Sequence, residues 1–166
     1  MSDHGPGDDT EHDERAEATR VAAESRGDCI FCAIIAGEIP ATFVARESDT
    51  VAFLDRSPLF KGHVLVVPRA HVANFSELPA QDLAPLFSTA QRIARAVETG
   101  LDAHGAFVAL NNKVSQSVPH LHVHVIPRRR KDGLRGFFWP RQPYATDAER
   151  EEFAARIVSA LAEPPE

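Results

Sequence analysis

Pro119-His120-Leu121-His122-Val123-His124-Val125-Ile126-Pro127 places three histidines at strict two-residue spacing, interleaved with aliphatic residues. In a β-strand side chains alternate between faces, so His120, His122 and His124 share one face while Leu121, Val123 and Val125 share the other. The apolar side asks for a core beneath it. The opposite side presents a row of imidazoles roughly 6–7 Å apart at each second neighbour. Three uses of that row compete. It can be a solvated strand face. It can belong to a metal site, since two histidines two apart on a strand can converge on one zinc ion. Or it can be catalytic, one neutral imidazole attacking an electrophile while its neighbours orient it and hold its tautomer. The last two readings can share the row.

Around this stretch the pattern of the chain is regular. Ile30 to Ala36 reads as a short helix before Gly37 and Pro40, followed by strands over Thr42 to Arg46 and Val51 to Leu54 with a turn at Glu47-Ser48-Asp49. His63 to Val67 is a continuous apolar run between Gly62 and Pro68, the signature of a central strand. From Ala80 to Thr99, Leu83, Leu86, Phe87, Ala90, Ile93, Ala94 and Val97 recur at helical spacing, with Pro79 placed to start that helix and Gly100 to stop it. Ala106 to Leu110 reads as a strand leading through a polar loop to the histidines. Thr146-x-x-Glu149 is a capping box opening a last helix with Phe153, Ile157 and Leu161 on one face. This order argues for an α+β domain on an antiparallel sheet.

The 166 residues, 43% of them hydrophobic, are enough for one core and few for two. Residues 1–26 hold eight acids against three bases with almost nothing aromatic or branched, a composition that favours a disordered acidic tail. The body, residues 27–166, is then a single domain with 15 bases against 16 acids. Such a balance gives no global field for nucleic acid. No apolar run approaches the roughly 20 residues of a membrane span, no hydrophobic signal region is visible, and the only two cysteines form one Cys-x-x-Cys. A cytoplasmic protein without membrane contact is expected. Cys29 and Cys32 stand one helical turn apart, where two thiolates can grip one ion; a redox pair and two small buried residues are the other readings.

His120-Leu-His-Val-His-Val-Ile126 resembles the signature of the histidine-triad (HIT) family, His-φ-His-φ-His-φ-φ with φ hydrophobic. Gln116-Ser117-Val118, Cys29 to Pro40, Ala52-Phe-Leu-Asp55 and Lys61 to His71 follow in the family's order and are similar to its Hint-type bacterial members. The resemblance spans about residues 28 to 128. It implies a HIT-like fold with a five-stranded antiparallel sheet, a long helix and a C-terminal helix, and a homodimer whose sheets join across a two-fold axis.

It also implies roles for particular residues. Cys29, Cys32, His71 and His120 are implied as ligands of a zinc ion, structural because four protein ligands leave no position for an activated water. His122 is the implied nucleophile at an α-phosphorus, giving a covalent nucleotidyl-histidine; its other ring nitrogen needs an acceptor, expected to be a backbone carbonyl of the motif. His124 would donate to a phosphate oxygen, and Ser117 to the leaving group. Ile30 and Phe31 would meet the base, Phe53 line the pocket, Asp55 accept the ribose hydroxyls and His63 lie near the pocket. As residues alone, Ile30, Phe31 and Phe53 read equally as core, Asp55 as a turn acid and His63 as a strand-end histidine.

The departure is Asn111-Asn112-Lys113-Val114-Ser115, shorter than the family's phosphate loop and without glycine. Both Asn111 and Asn112 are therefore candidates for substrate contact, with Gln116 beside them. Arg128-Arg-Arg-Lys131 reads as a solvated strand end or a contact to further phosphates, and Phe137-Phe138-Trp139-Pro140 as a packed aromatic loop. The implied activity is release of a nucleoside 5′-monophosphate, from a purine nucleoside phosphoramidate or related AMP conjugate. A dinucleoside polyphosphate hydrolase or phosphorylase, or a nucleotide-binding protein with vestigial turnover, are the alternatives. The transferase branch is disfavoured, because its triad typically ends in Gln where His124 stands.

Overall fold

The computed structural model describes residues 29–134 and 142–161. The acidic segment 1–26 and the Phe137 to Pro140 stretch lie outside these. The described residues fall into two units, one ending at Arg130 and one beginning at Lys131.

In the first unit a short helix α1 (Ile30–Ala36) ends at Gly37, whose φ of 84° is the left-handed cap that a side chain disfavours. Five strands follow: β1 (Phe43–Arg46), β2 (Thr50–Leu54), β3 (Val64–Pro68), β4 (Gly105–Ala109) and β5 (Val123–Arg128). They form one antiparallel sheet in the order β1-β2-β3-β5-β4. The apolar run after His63 is central as expected, and every residue of β3 is buried. A 3₁₀ turn (Phe75–Glu77) precedes the long helix α2 (Ala80–Gly100), which lies between β3 and β4 in the chain.

The central strands β2, β3 and β5 are buried on both faces, while the edge strands are partly exposed. Ala52, Val64, Val66, Leu121, Val123 and Val125 meet Leu86, Ala90, Ile93 and Val97 of α2. Each fully buried aliphatic contributes about 1.5–3 kcal/mol of transfer free energy. On the opposite face Val51, Phe53, Leu65 and Val67 pack on Cys29, Phe31 and Ile34 from α1 and its cap. The register Leu65↔His124 and Val66↔Val123 puts the histidines on the α1 face and the valines on the α2 face.

Three expectations need correction. The histidine stretch is not one strand from Pro119: β5 starts at Val123, because Pro119 has no N–H to give a ladder and His120 closes a bend by donating to the Val118 carbonyl, 2.8 Å. Leu121 keeps its core position through an N–H donated to the Val72 carbonyl, 2.7 Å. In α2, Leu83 and Phe87 are exposed, while Thr89 is buried and hydrogen-bonded to Thr50, Oγ1 to Oγ1 2.9 Å. A hydroxyl that finds a partner across the interface sits in the stripe as well as a methyl does. Gly100 is the last helical residue and the cap falls on Leu101.

The C-terminal unit contains helix α3 (Asp147–Leu161). Its start is the expected Thr146/Glu149 pair: the Thr146 hydroxyl accepts from the Glu149 N–H, 3.1 Å, and the Glu149 carboxylate accepts from the N–H of Ala145 rather than of Thr146. Phe153, Ile157 and Val158 are exposed on it. Among the described residues no helix is long and apolar enough to cross a membrane.

Candidate functional site

The polar residues of the α1 face divide into two clusters that meet at His120 and His122. The first begins at the cap of α1, where the Cys29 thiol accepts from the Cys32 N–H at 3.5 Å. One turn of helix thus aims both sulfurs at the loop after β3. Cys29 Sγ lies 3.4 Å from His120 Nδ1, and Cys32 Sγ lies 3.3 Å from His71 Nδ1 and 3.5 Å from His120 Nδ1. One ligand atom from each of these four residues falls within 4.8 Å of the others. Ligands 2.3 Å (sulfur) and 2.0–2.1 Å (nitrogen) from a tetrahedral zinc stand roughly 3.5 Å apart, so the residues fit such an ion. His120 Nε2 faces the Pro68 carbonyl at 2.9 Å. Since a carbonyl only accepts, the proton is on Nε2 and Nδ1 turns its lone pair to the thiols. Burial pushes the His120 pKa down to about 4, only partly offset by that carbonyl, with His71 and His122 lowering it further. A neutral imidazole is the ligating form.

The second cluster contains the rest of the triad. His122 is 4% exposed, and its Nδ1 donates to the carbonyl of His120 at 2.7 Å. The acceptor expected from the sequence is therefore in place and belongs to the motif. It fixes the tautomer, leaving Nε2 with the lone pair. Phe31 sets its ring edge-on against His122, centroids 5.2 Å apart, and against His120 at 5.9 Å. His124 lies 4.9 Å from His122 ring to ring. Its Nδ1 is 3.0 Å from Nε2 of His63. His63 Nδ1 in turn accepts from the Leu59 N–H at 3.2 Å and stands 3.3 Å from Asp55 Oδ2. Burial is the main cause lowering the pKa of His63, partly countered by Asp55, and burial together with His122 and His63 takes His124 down to about 4.

The remaining candidates spread more widely. Ile30 is 41% exposed at the first turn of α1, whereas Phe53 is 2% exposed and stands behind Phe31, ring centroids 5.5 Å apart. Asp55 Oδ1 accepts from the Ser57 N–H, 2.8 Å, the turn-capping contact its position allows. Ser117 is exposed in the loop ahead of the triad. In that loop Asn111 donates to the Ser115 carbonyl, and Asn112 accepts from the Phe75 N–H at 2.9 Å while donating to Ser76. Gln116 accepts from the Lys113 N–H and donates to the carbonyls of Ala73 and Val118. All three amides therefore brace the loop. Lys113 and Ser115 take left-handed φ values of 68° and 61°, conformations that glycine would adopt without strain. Of the basic run, Arg129 donates to the Leu101 carbonyl and the Arg130 N–H donates to His104, closing the end of the β4–β5 pair.

Sequence reasoning missed the backbone partners: the Pro68 carbonyl behind His120 and the Leu59 N–H behind His63. Backbone groups leave no residue-type signal. The Asp55–His63 contact was legible only as two separate candidates, because the loop that brings them together is closed by main-chain bonds, Asp55 N–H to His63 C=O 2.9 Å and His63 N–H to Phe60 C=O 3.0 Å.

Comparison with known proteins bears on this geometry. A model of the HIT domain matches residues 36–131. The crystal structure of a member of the HIT family from Bacillus subtilis superposes with a TM-score of 0.74 at 35% identity, covering 82% of this chain and 99% of that one. A Zn-bound histidine triad family protein from Mycobacterium smegmatis superposes with a TM-score of 0.63 at 35% identity, covering 83% and 99%. The adenosine 5′-monophosphoramidase hnt1 of Schizosaccharomyces pombe is 32% identical over 132 residues, 78% of this chain and 98% of that one.

Proposed function

The chain belongs to the histidine-triad (HIT) family, and from that premise we propose that it is a Hint-type nucleotide hydrolase that releases a nucleoside 5′-monophosphate from a phosphoramidate or related AMP conjugate. The observation that carries this is the 2.7 Å bond from His122 Nδ1 to the His120 carbonyl. A histidine that donates through Nδ1 keeps a nucleophilic lone pair on Nε2, and burial against Phe31 shields it from bulk water. Attack of Nε2 on the α-phosphorus expels the leaving group and forms nucleotidyl-His122; water then attacks that phosphorus and regenerates the imidazole. His124 is the adjacent donor to the phosphoryl group or leaving atom, and Ser117, at the loop before the triad, completes the leaving-group side. Phe31 and Ile30 flank the base, Asp55 takes the ribose, and the braced loop with Asn111, Asn112 and Gln116 receives the phosphate.

Zinc on Cys29, Cys32, His71 and His120 would supply no chemistry to the reaction. It would fix the pose of His120, whose ring faces the thiols while its carbonyl holds His122. The reading includes a homodimeric, cytoplasmic protein acting on a purine nucleotide, with residues 27–166 as one HIT domain.

The test is AMP release from adenosine 5′-phosphoramidate and from a diadenosine polyphosphate, with wild type and His122→Asn side by side. Preference for the phosphoramidate, lost in the variant although nucleotide still binds, supports the reading. A preference for the dinucleotide keeps the nucleophile and moves the protein to the polyphosphate branch. Equal residual activity in His122→Asn removes the mechanism.

A further inference from the structure

One end of the sheet collects positive charge. Strand β2 runs out into Asp55 and Arg56, Lys61 stands in the turn before β3, and β5 ends at Arg128 with Arg129 and Arg130 behind it. The pairings Leu54↔Val64 and Val64↔Val125 bring these segments to the same end. Packing closes the group: a Cβ on Gly62 would meet the side chains of Leu101 and Pro127, and Arg129 donates to the Leu101 carbonyl. Five of the ten lysines and arginines in residues 27–130 therefore share this pole. Its acids are Asp55, turned to His63 and the Ser57 N–H, and the exposed Asp102, 3.6 Å from Arg129. Arg56, Lys61 and Arg130 are exposed and make no ion pair among the described residues. Such an excess of cations at one end of a body with balanced charge is a surface for a polyanion.

We infer that the occupant of this pole is the chain's own acidic segment, residues 1–14. That segment holds Asp3, Asp8, Asp9, Glu11, Asp13 and Glu14 and neither lysine nor arginine, whereas residues 15–28 balance three acids with three bases. The negative charge is thus gathered in a block, with a neutral connector behind it. The connector is long enough. Cys29 Sγ lies 3.4 Å from His120 Nδ1, and Arg128 is eight residues past His120, at most about 27 Å along an extended chain. The fifteen residues from Glu14 to Cys29 span up to about 50 Å. Tethering also makes the contact intramolecular, at an effective concentration on the order of millimolar, so individually weak surface ion pairs suffice. A free polyanion has to displace carboxylates that cannot diffuse away. The segment therefore acts as a cover that keeps other polyanions off the pole.

Proximity and charge forecast opposite results for the two lysines of residues 27–130, Lys61 at the pole and Lys113 in the loop before the triad. The Lys113 N–H donates to Gln116, whose amide donates to the Val118 carbonyl, so that loop lies towards the Cys29–His120 end. A segment guided by its attachment alone meets Lys113 first. A segment guided by charge meets Lys61.

The experiment treats the full chain, mixed from unlabelled and isotope-labelled preparations, with a carbodiimide near neutral pH and maps the amide cross-links by mass spectrometry. The expected result at low salt is cross-linking of Lys61 to acids of residues 1–14 within one chain, at about five times the yield at Lys113 or more. That yield should fall about fivefold at roughly 1 M salt, where the Debye length is about 3 Å. Arg56→Gln combined with Arg130→Gln should lower the Lys61 yield and leave Lys113 unchanged. Equal yields at the two lysines, a yield indifferent to salt, or no Lys61 cross-link overturns the inference. Cross-links of mixed isotope would assign the segment to the pole of a second copy and overturn the intrachain contact. A missing Lys61 cross-link together with binding of a fluorescent single-stranded oligonucleotide, lost in the double variant, would give the pole to nucleic acid instead. None of these readouts depends on the nucleotide-hydrolase reading.

Discussion

Gly62 precedes His63, and replacing it with alanine tests how the turn before β3 is held. Its φ of 91° lies where an L side chain is disfavoured, a cost of about 1–2 kcal/mol. An added Cβ would overlap Leu101 Cδ1 and approach Pro127 Cγ to 3.2 Å. The overlap is the larger number and the smaller effect. Leu101 is 44% exposed and can turn its methyl away, whereas Pro127 is a ring fixed in β5 and must yield by a few tenths of an ångström. Alanine also has less freedom to lose on folding, which offsets about 0.4–1 kcal/mol. The net expectation for Gly62→Ala is a destabilisation of about 1–2 kcal/mol. In urea unfolding, with m of about 1–3 kcal/mol/M, the midpoint drops by roughly 1 M at unchanged m. In a Leu101→Ala background the cost should persist, with a coupling below about 0.5 kcal/mol. A cost under about 0.5 kcal/mol in the wild-type background, or one that Leu101→Ala abolishes, would refute the backbone argument.

Other expectations follow from the same structure. Leu86→Ala empties a fully buried position under Leu121, Val123 and Val125 and should cost about 3–4 kcal/mol in the same urea assay. Lys113→Gly relieves a left-handed φ of 68° and, after the entropy of an added glycine, should stabilise by about 0.5–1 kcal/mol. Stability should fall as pH drops from about 6.5 towards 4. The unfolded chain takes up protons there at its ordinary histidine pKa, while His124, held down to about 4 chiefly by burial, and His63, also lowered, do not. The slope stays under about 1.4 kcal/mol per pH unit for each group, the limit for one proton exchanged, and His124→Gln should flatten it. Cys32→Ser should cut the metal content, measured by elemental analysis, from about one zinc per chain and lower the melting temperature; unchanged content would remove Cys32 from the ligand set.

Sequence legibility followed physical cause. Helix α1 was readable to its last residue because Gly37 and Pro40 stop it, and β3 because only a strand buried on both faces carries an uninterrupted apolar run. The division of the histidine stretch into an imidazole face and an aliphatic face was readable from period-two spacing. The place where pairing begins was not, since it depends on Val72 reaching Leu121 across the fold. Thr89 was missed because its partner, Thr50, is distant in sequence, and Leu83 and Phe87 were over-counted because helical spacing alone does not say how wide the covered stripe is. In the site, side-chain candidates were visible as residue types, while the carbonyls and amides that set each tautomer were invisible until the loops closed.

His120 has a ring turned to Cys29, Cys32 and His71, and a main-chain oxygen turned to His122. One residue therefore ties two inheritances together. Loss of the thiols would leave that buried imidazole held by the Pro68 carbonyl at Nε2, with the His120 carbonyl still turned to His122 Nδ1.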